Sequence, residues 1–302
     1  MLPTFAIIGA QKSASTFLQT QLQSHPDIFL PDGELALFED PQYAKYDPNG
    51  LASHFEAGDN AEELGLKRPS YLHEPEVPER LFTHLPDIKL IVILRDPVER
   101  AVSAYFHQVR QNFAPLVEVN RGLANILEDR WADLYPRTSQ VIEYGMYYRQ
   151  IERYLNYFDK KNLYITTYKK ISNKTKNTID KVCKFLDIER KIQKIKYKKC
   201  NAGKYSKVRL KVARLVNQMR FDYFHEGKRL RPKERIGFLE GVIFRVLKSF
   251  NQHVLTLLET GKPSLNSDVH NRLVEHYRGD AEKLRSNFEL DIDHWSVFSK
   301  EK

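Results

Sequence analysis

Two short stretches of this chain gather the chemistry of anion binding. In Gly9-Ala-Gln-Lys-Ser-Ala-Ser-Thr16, a lysine and three hydroxyls follow a glycine within one short run. Lys12 offers a mobile cation, and Ser13, Ser15 and Thr16 offer donors that a phosphate or sulfate oxygen accepts. If a helix begins there, its first backbone N–H groups and the positive end of its dipole add to the same site. The second stretch is Arg95-Asp-Pro-Val-Glu-Arg100-Ala-Val-Ser103. A guanidinium presents a planar fork that matches phosphate, and Ser103 stands one helical step from Arg100. The plainer alternative for Arg95 is a cap, or an ion pair with Asp96 or Glu99.

Both stretches follow segments with the pattern of buried strands. The apolar run Phe5-Ala-Ile-Ile8 stops at Gly9, and apolar Phe17, Leu18 and Leu22 then recur at helical spacing behind Ser and Thr capping residues. Leu90-Ile-Val-Ile-Leu94 stops at Arg95-Asp-Pro97 and leads into a helix expected over 98–109. A third run, Leu163-Tyr-Ile-Thr-Thr167, lies between helical patterns at 147–158 and 178–185. Apolar strands alternating with amphipathic helices predict a P-loop-like, three-layer α/β/α fold around a central parallel sheet. Gly9 and Arg95 then share the edge where strands end and helices begin, which is where open α/β sheets bind ligands. The first loop is not a Walker A loop, because its lysine comes three residues after Gly9 with no Gly-Lys pair further along. Residues 204–262 break the alternation and are expected to form a basic, peripheral helical insert within a single domain of residues 1–302. A last amphipathic helix is expected over 271–290, with Trp295 as an apolar anchor beyond it.

Composition narrows the partners. The chain has 302 residues and a formal net charge of +9, which favours anionic partners. Much of the excess lies in 189–235, where runs such as Lys191-Ile-Gln-Lys-Ile-Lys-Tyr-Lys-Lys199 serve either as a solvated face or as a phosphate-facing one. The two cysteines, Cys183 and Cys200, have neither disulfide-framework nor zinc spacing. No His, Asp and Glu cluster has metal-ligand spacing, and no metal is expected. No apolar run approaches the length of about 20 residues that a membrane span needs. The expectation is therefore a cytoplasmic protein with no membrane and no nucleic-acid partner.

The first loop, Gly9-Ala-Gln-Lys12-Ser-Ala14-Ser15-Thr16-Phe-Leu18, resembles the 5'-phosphosulfate loop of the PAPS-dependent sulfotransferases, roughly GxxKxGTTxL. PAPS is 3'-phosphoadenosine-5'-phosphosulfate, and PAP is the product left after transfer. Ala14 stands where the family has glycine, and Ser15 where it has the first threonine. Ser15 keeps a hydroxyl. Ala14 adds a Cβ, which is costly if the position needs a positive φ; otherwise the loop is right-handed there and slightly re-shaped. The resemblance assigns Gly9, Gln11, Lys12, Ser13, Ala14, Ser15 and Thr16 to the donor, and Arg95 and Ser103 to its 3'-phosphate. It continues in Leu64-Gly-Leu-Lys67-Arg-Pro69-Ser70-Tyr71, like the family's GEKTPxY, and in Gly145-Met-Tyr147-Tyr-Arg-Gln150, like its GxYxxQ helix. Lys199-Cys-Asn201-Ala-Gly203-Lys204-Tyr-Ser206-Lys207 is similar to the late basic loop that closes over the nucleotide, which brings in Asn201, Gly203, Lys204 and Lys207. Residues 277–295 are similar to a C-terminal YxxDxxxL…DLxxW pattern. The similarity is greatest to heparan-type and bacterial natural-product sulfotransferases.

What the resemblance implies is sulfuryl transfer from PAPS to a hydroxyl or amine of a small-molecule acceptor, a secondary metabolite first, with release of PAP. A glycan acceptor is the alternative within the same chemistry. Two other classes compete: a nucleotide kinase, for which Walker spacing is missing, and a nucleic-acid-binding protein, which the charge alone would allow. Transfer needs a base at the acceptor and positive charge at the leaving oxygen. Lys12 and, by its matching position, Lys67 are the cations. Glu34, in Pro31-Asp-Gly-Glu34-Leu-Ala-Leu-Phe38, partly matches the family's KExxFF and is the expected base. Asp32 and Glu39 are alternative carboxylates. His107 and, further down, His73 are alternative bases.

Overall fold

The computed structural model describes residues 1–189, 191, 205–224, 229–233, 237–253, 255, 261 and 263–299. In chain order, the first half holds β1 (Phe5–Gly9), α1 (Ser15–Leu22), β2 (Ile28–Phe29), α2 (Pro48–Ser53), β3 (Glu63–Lys67), α3 (Val77–His84) and β4 (Lys89–Leu94). Next come α4 (Pro97–Arg110), α5 (Val119–Leu127), α6 (Gln140–Glu143), α7 (Tyr147–Leu155), β5 (Leu163–Thr167), α8 (Tyr168–Asn173) and α9 (Thr175–Leu186). The remainder carries α10 (Lys207–Arg220), β6 (Phe221–Phe224), β7 (Arg229–Pro232), α11 (Phe238–His253) and α12 (Ser267–Asn287). The chain divides into two compact units. One comprises Met1–Asp96, Met146–Cys200 and Gly279–Lys302, and the other Pro97–Gly145 and Asn201–Arg278.

The first unit is built on a five-stranded sheet in the order β2-β3-β1-β4-β5. Every pairing is parallel, and Ile7 faces Lys67 on one side and Ile91 on the other. β1 and β4 are buried almost throughout, as continuous apolar runs must be when helices cover a parallel sheet on both faces. Side chains alternate along a strand. Phe5, Ile7, Ile91 and Ile93 therefore share a core with Leu18 and Leu22 of α1 and with Ile179, Val182 and Leu186 of α9. Each such burial is worth roughly 1.5–3 kcal/mol, and together they fix β1 and α1 as a rigid frame around the loop between them. Trp295 is buried, with its ring 5.9 Å from that of Tyr147 on α7.

The α/β architecture with a central parallel sheet is as expected, and the helices at α1, α4, α7, α9 and α12 fall within a few residues of their patterns. Two strands escaped the sequence reading. β2 has only two residues, and β3 ends on a charged lysine, so neither shows an apolar run. The second unit corrects the view of 204–262 as a peripheral run of helix. An antiparallel hairpin, β6–β7, follows α10 directly. Arg214 of α10 donates to the carbonyls of Val109 (2.9 Å) and Ala114 (2.6 Å), and Asn217 donates to that of Arg110 (2.7 Å). The bonds to Val109 and Arg110 satisfy carbonyls of the last turn of α4, which lack intrahelical partners, and the bond to Ala114 ties down the loop that follows. No helix among the described residues is long and apolar enough to cross a membrane.

Candidate active site

The strand order reverses at β1, whose neighbours are β3 on one side and β4 on the other. The crevice at the carboxyl ends of strands lies at such a switch point, and three cationic residues of the first unit stand there. Lys12 lies in the loop after β1, Lys67 is the last residue of β3, and Arg95 follows β4. The loop is locked to its neighbours by Ala10 N–H to Ile93 O (2.8 Å), Arg68 N–H to Ile7 O (3.0 Å) and Leu72 N–H to Ile8 O (2.9 Å). Gly9 is required by this close approach, since a Cβ there would stand 2.6 Å from the Cβ of Leu72.

The loop turns through left-handed backbone twice, at Lys12 (φ 71°) and at Ala14 (φ 77°). Ala14 therefore holds the positive φ for which the family pattern has glycine. It is the N-cap of α1 and brings no side-chain acceptor. The first N–H groups of an α-helix have no intrahelical partner, so here they are left to an external anion. The Ser13 hydroxyl is fully buried with no hydrogen-bond partner among the described residues. An orphaned buried donor beside uncapped N–H groups fits the phosphosulfate end of a PAPS-like donor.

A chain of contacts links the loop to the carboxylates. Lys67, 4% exposed, places Nζ 3.3 Å from the Thr16 hydroxyl and 3.5 Å from Glu34 Oε1. Arg68 reaches Glu34 Oε2 with Nη1 at 3.2 Å, and closes a bidentate pair on Glu39 with Nε at 2.7 Å and Nη2 at 2.5 Å. The Ser70 hydroxyl donates to the same Glu39 carboxylate at 2.5 Å. Glu39 is thus buried and bonded by Arg68 and Ser70, whereas Glu34 keeps 40% of its side chain open. Burial by itself would lower the Arg68 pKa; the bond to Glu39 and the charges of Glu39 and Glu34 outweigh it and hold the guanidinium above its ordinary value.

The segment carrying Glu34 is held from both ends. Gln19 of α1 donates to the carbonyls of Pro31 (2.8 Å) and Gly33 (3.2 Å), and Gln23 donates to Leu30 O (2.9 Å) and Asp32 Oδ1 (3.0 Å). Leu35 N–H donates to Lys67 O at 3.3 Å. The Tyr71 hydroxyl donates to Leu35 O (2.6 Å) and accepts from Phe38 N–H (3.1 Å).

The structure thus brings Lys12, Ser13, Ala14, Ser15, Thr16, Glu34, Lys67 and Arg95 into one unit. Arg95 donates to Lys12 O at 3.4 Å, and its guanidinium lies 4.7 Å from the Tyr168 ring centre. Gln11 is half-buried in the loop, and Asp96 accepts from Ser296 through N–H and hydroxyl. Ser103 and His107 lie on α4 in the second unit, where Arg110 donates to His107 Nδ1 at 3.0 Å. Lys207 is the exposed first residue of α10. Asn201, Gly203 and Lys204 lie outside the described residues. His73 offers its carbonyl to Arg153 at 2.7 Å. The sequence reading passed over Arg68, Gln19 and Gln23. Arg68 was detectable as the one charged residue where the GEKTPxY pattern has threonine, while the glutamines carry no such mark.

Residues 2–237 match the family model described as a sulfotransferase domain. The chain belongs to the sulfotransferase family. It is 38% identical to the membrane-associated sulfotransferase kil1 of Dictyostelium discoideum over 126 residues, which is 39% of this chain and 26% of that protein. Over 204 residues it is 31% identical to the bifunctional heparan sulfate N-deacetylase/N-sulfotransferase 4 of Mus musculus, covering 62% of this chain and 22% of that one. The chain therefore spans about a quarter of the length of these two relatives. The solved sulfotransferase of Alicyclobacillus acidocaldarius superposes with a TM-score of 0.67 over 98% of this chain and 99% of its own, at 19% identity, a likeness of fold.

Proposed function

We propose that this sulfotransferase uses PAPS as donor and a hydroxyl or amine of a small-molecule acceptor, with release of PAP. The observation that carries the reading is the contact chain Thr16–Lys67–Glu34, which joins the anion loop at β1 to a half-exposed carboxylate. When bound, PAPS supplies an activated sulfuryl group on a phosphate leaving oxygen. The loop N–H groups, Ser13, Ser15 and Thr16 bind its anionic end, and Lys12 and Lys67 face the charge that develops on the leaving oxygen. Glu34 takes the proton from the acceptor as the new bond to sulfur forms and the old sulfur–oxygen bond breaks. Arg95 serves donor binding. We place the reaction in the cytoplasm.

A secondary metabolite is the acceptor we favour. A glycan is the second reading, supported by a relative named for heparan sulfate and by the net charge of +9. The test is transfer of label from sulfur-labelled PAPS to a panel of hydroxylated and amino metabolites and to desulfated glycans. Conversion of PAPS to PAP, lost in Lys12→Ala and weakened through donor KM in Arg95→Ala, is the expected result. Full activity in Lys12→Ala sinks the mechanism, and labelled glycan with no labelled metabolite decides for the second reading.

A further inference from the structure

α11 presents two opposed faces. Leu255, just beyond it, and Asn251 are buried; Asn251 exchanges bonds with Arg209 of α10, donating to its carbonyl at 3.1 Å and accepting from its Nε at 3.4 Å. On the other side Leu239, Val242, Ile243, Val246 and Phe250 are all exposed, Leu239 by 75% and Val246 by 60%. At 3.6 residues per turn these five fall within an arc of about 100°. A helix that already buries one face needs no second apolar stripe for its own folding, and contiguous exposed apolar surface marks a contact.

The surrounding charge decides what the stripe meets. Arg245 flanks it, and Lys207, Lys211, Arg220, Arg231 and Lys248 are exposed elsewhere in the same stretch. Against these cations, the exposed acids among the described residues of 205–253 are Asp222 and Glu240. A second copy docked antiparallel through the stripe of α11 would set Arg245 against its own like charge, which is costly. An anionic bilayer surface takes both features at once: the apolar arc enters the boundary between headgroups and acyl chains, and the cations remain at the headgroups. We infer that the exposed face of α11 docks this protein on anionic membrane surfaces, in the plane of the interface. The inference is independent of the donor and acceptor proposed above.

Flotation of the full chain with vesicles tests it. Phosphatidylcholine vesicles should carry little protein, and equimolar phosphatidylcholine–phosphatidylglycerol vesicles should bind about tenfold more or better, with loss at high salt. Ile243→Glu/Val246→Glu changes two exposed positions, so its thermal midpoint should hold while its partition falls about tenfold. Arg245→Glu/Lys248→Glu should weaken binding to the anionic vesicles and flatten its salt dependence. Absence of flotation, or flotation of Ile243→Glu/Val246→Glu equal to that of the unsubstituted chain, overturns the inference. So does light scattering that shows a dimer which the same double variant dissolves, because the stripe is then a contact between copies.

Discussion

Nζ of Lys67 lies 3.5 Å from Oε1 of Glu34, and the two differ sharply in exposure, 4% for the lysine and 40% for the carboxylate. A buried ammonium requires a counter-charge, and Glu34 provides one without being buried itself. An acceptor arriving from solvent can reach only the open partner of this pair. Glu34→Gln is therefore expected to lower kcat by about 100- to 10,000-fold, the usual share of a general base. PAP affinity, measured by calorimetry, should stay near that of the unsubstituted protein. Unchanged turnover in Glu34→Gln would move the base role to another group, His107 first.

Arg68 gives a stability prediction at the same place. Its bidentate pair with Glu39 is buried on the carboxylate side, where Glu39 is 2% exposed. Arg68→Met leaves that carboxylate with the Ser70 hydroxyl as its remaining named donor. The expected loss is about 3–5 kcal/mol, as for a buried pair broken from one side. Arg68→Met/Glu39→Gln should recover much of it, because no buried charge is then stranded. Urea unfolding of the two variants measures both values. A double variant as unstable as Arg68→Met alone would show that packing, not charge, sets the loss.

Much of this site could be read from residue order, for reasons the structure makes plain. β1 and β4 are buried on both faces, so they appear as unbroken apolar runs, and the loops at their ends stand out by contrast. Lys12 and Arg95 were legible for that reason. Lys67 ends a strand with a charged residue at each end, too polar to announce itself, and it entered only through a motif. Gln19 and Gln23 were not legible at all. Their role is to bond backbone carbonyls of a loop about ten residues away, and no spacing rule marks a helix glutamine for that task. The hairpin after α10 was missed because the basic residues around Phe221-Asp-Tyr-Phe224 drew attention to charge and away from its alternation.

Ala14 carries a conformational cost that a single substitution removes. Its φ of 77° lies in the left-handed region, where an L residue with a Cβ is worse than glycine by roughly 1–2 kcal/mol. Glycine gives back part of this through the greater freedom of the unfolded chain, roughly 0.4–1 kcal/mol. Ala14→Gly should thus raise stability by about 0.5–1 kcal/mol, read as a higher urea midpoint at constant slope. A lower midpoint would mean that the Ala14 methyl group contributes packing that outweighs its backbone cost.

Tyr71 links the loop of Glu34 to alkaline stability. Its buried hydroxyl bonds Leu35 O and Phe38 N–H, and burial raises its pKa above the ordinary 10.0 although the bond from Phe38 N–H works the other way. Tyr154, which donates to Tyr71 O at 2.7 Å, is raised by burial as well. In the unfolded chain both phenols ionise near pH 10. Below that pH both states hold the protons, and the contribution to stability is complete. As pH rises past about 10, the unfolded state alone releases protons, so folding weakens by up to about 1.4 kcal/mol per pH unit for each phenol. Tyr71→Phe should cost about 1–3 kcal/mol near pH 8, from the buried groups left unpaired. It should then lose less than the parent protein between roughly pH 9.5 and 11, because one titrating group is gone. Denaturant unfolding across that range measures the slope. Equal slopes for the two proteins would mean that Tyr71 ionises as readily folded as unfolded, and that burial does not hold its proton.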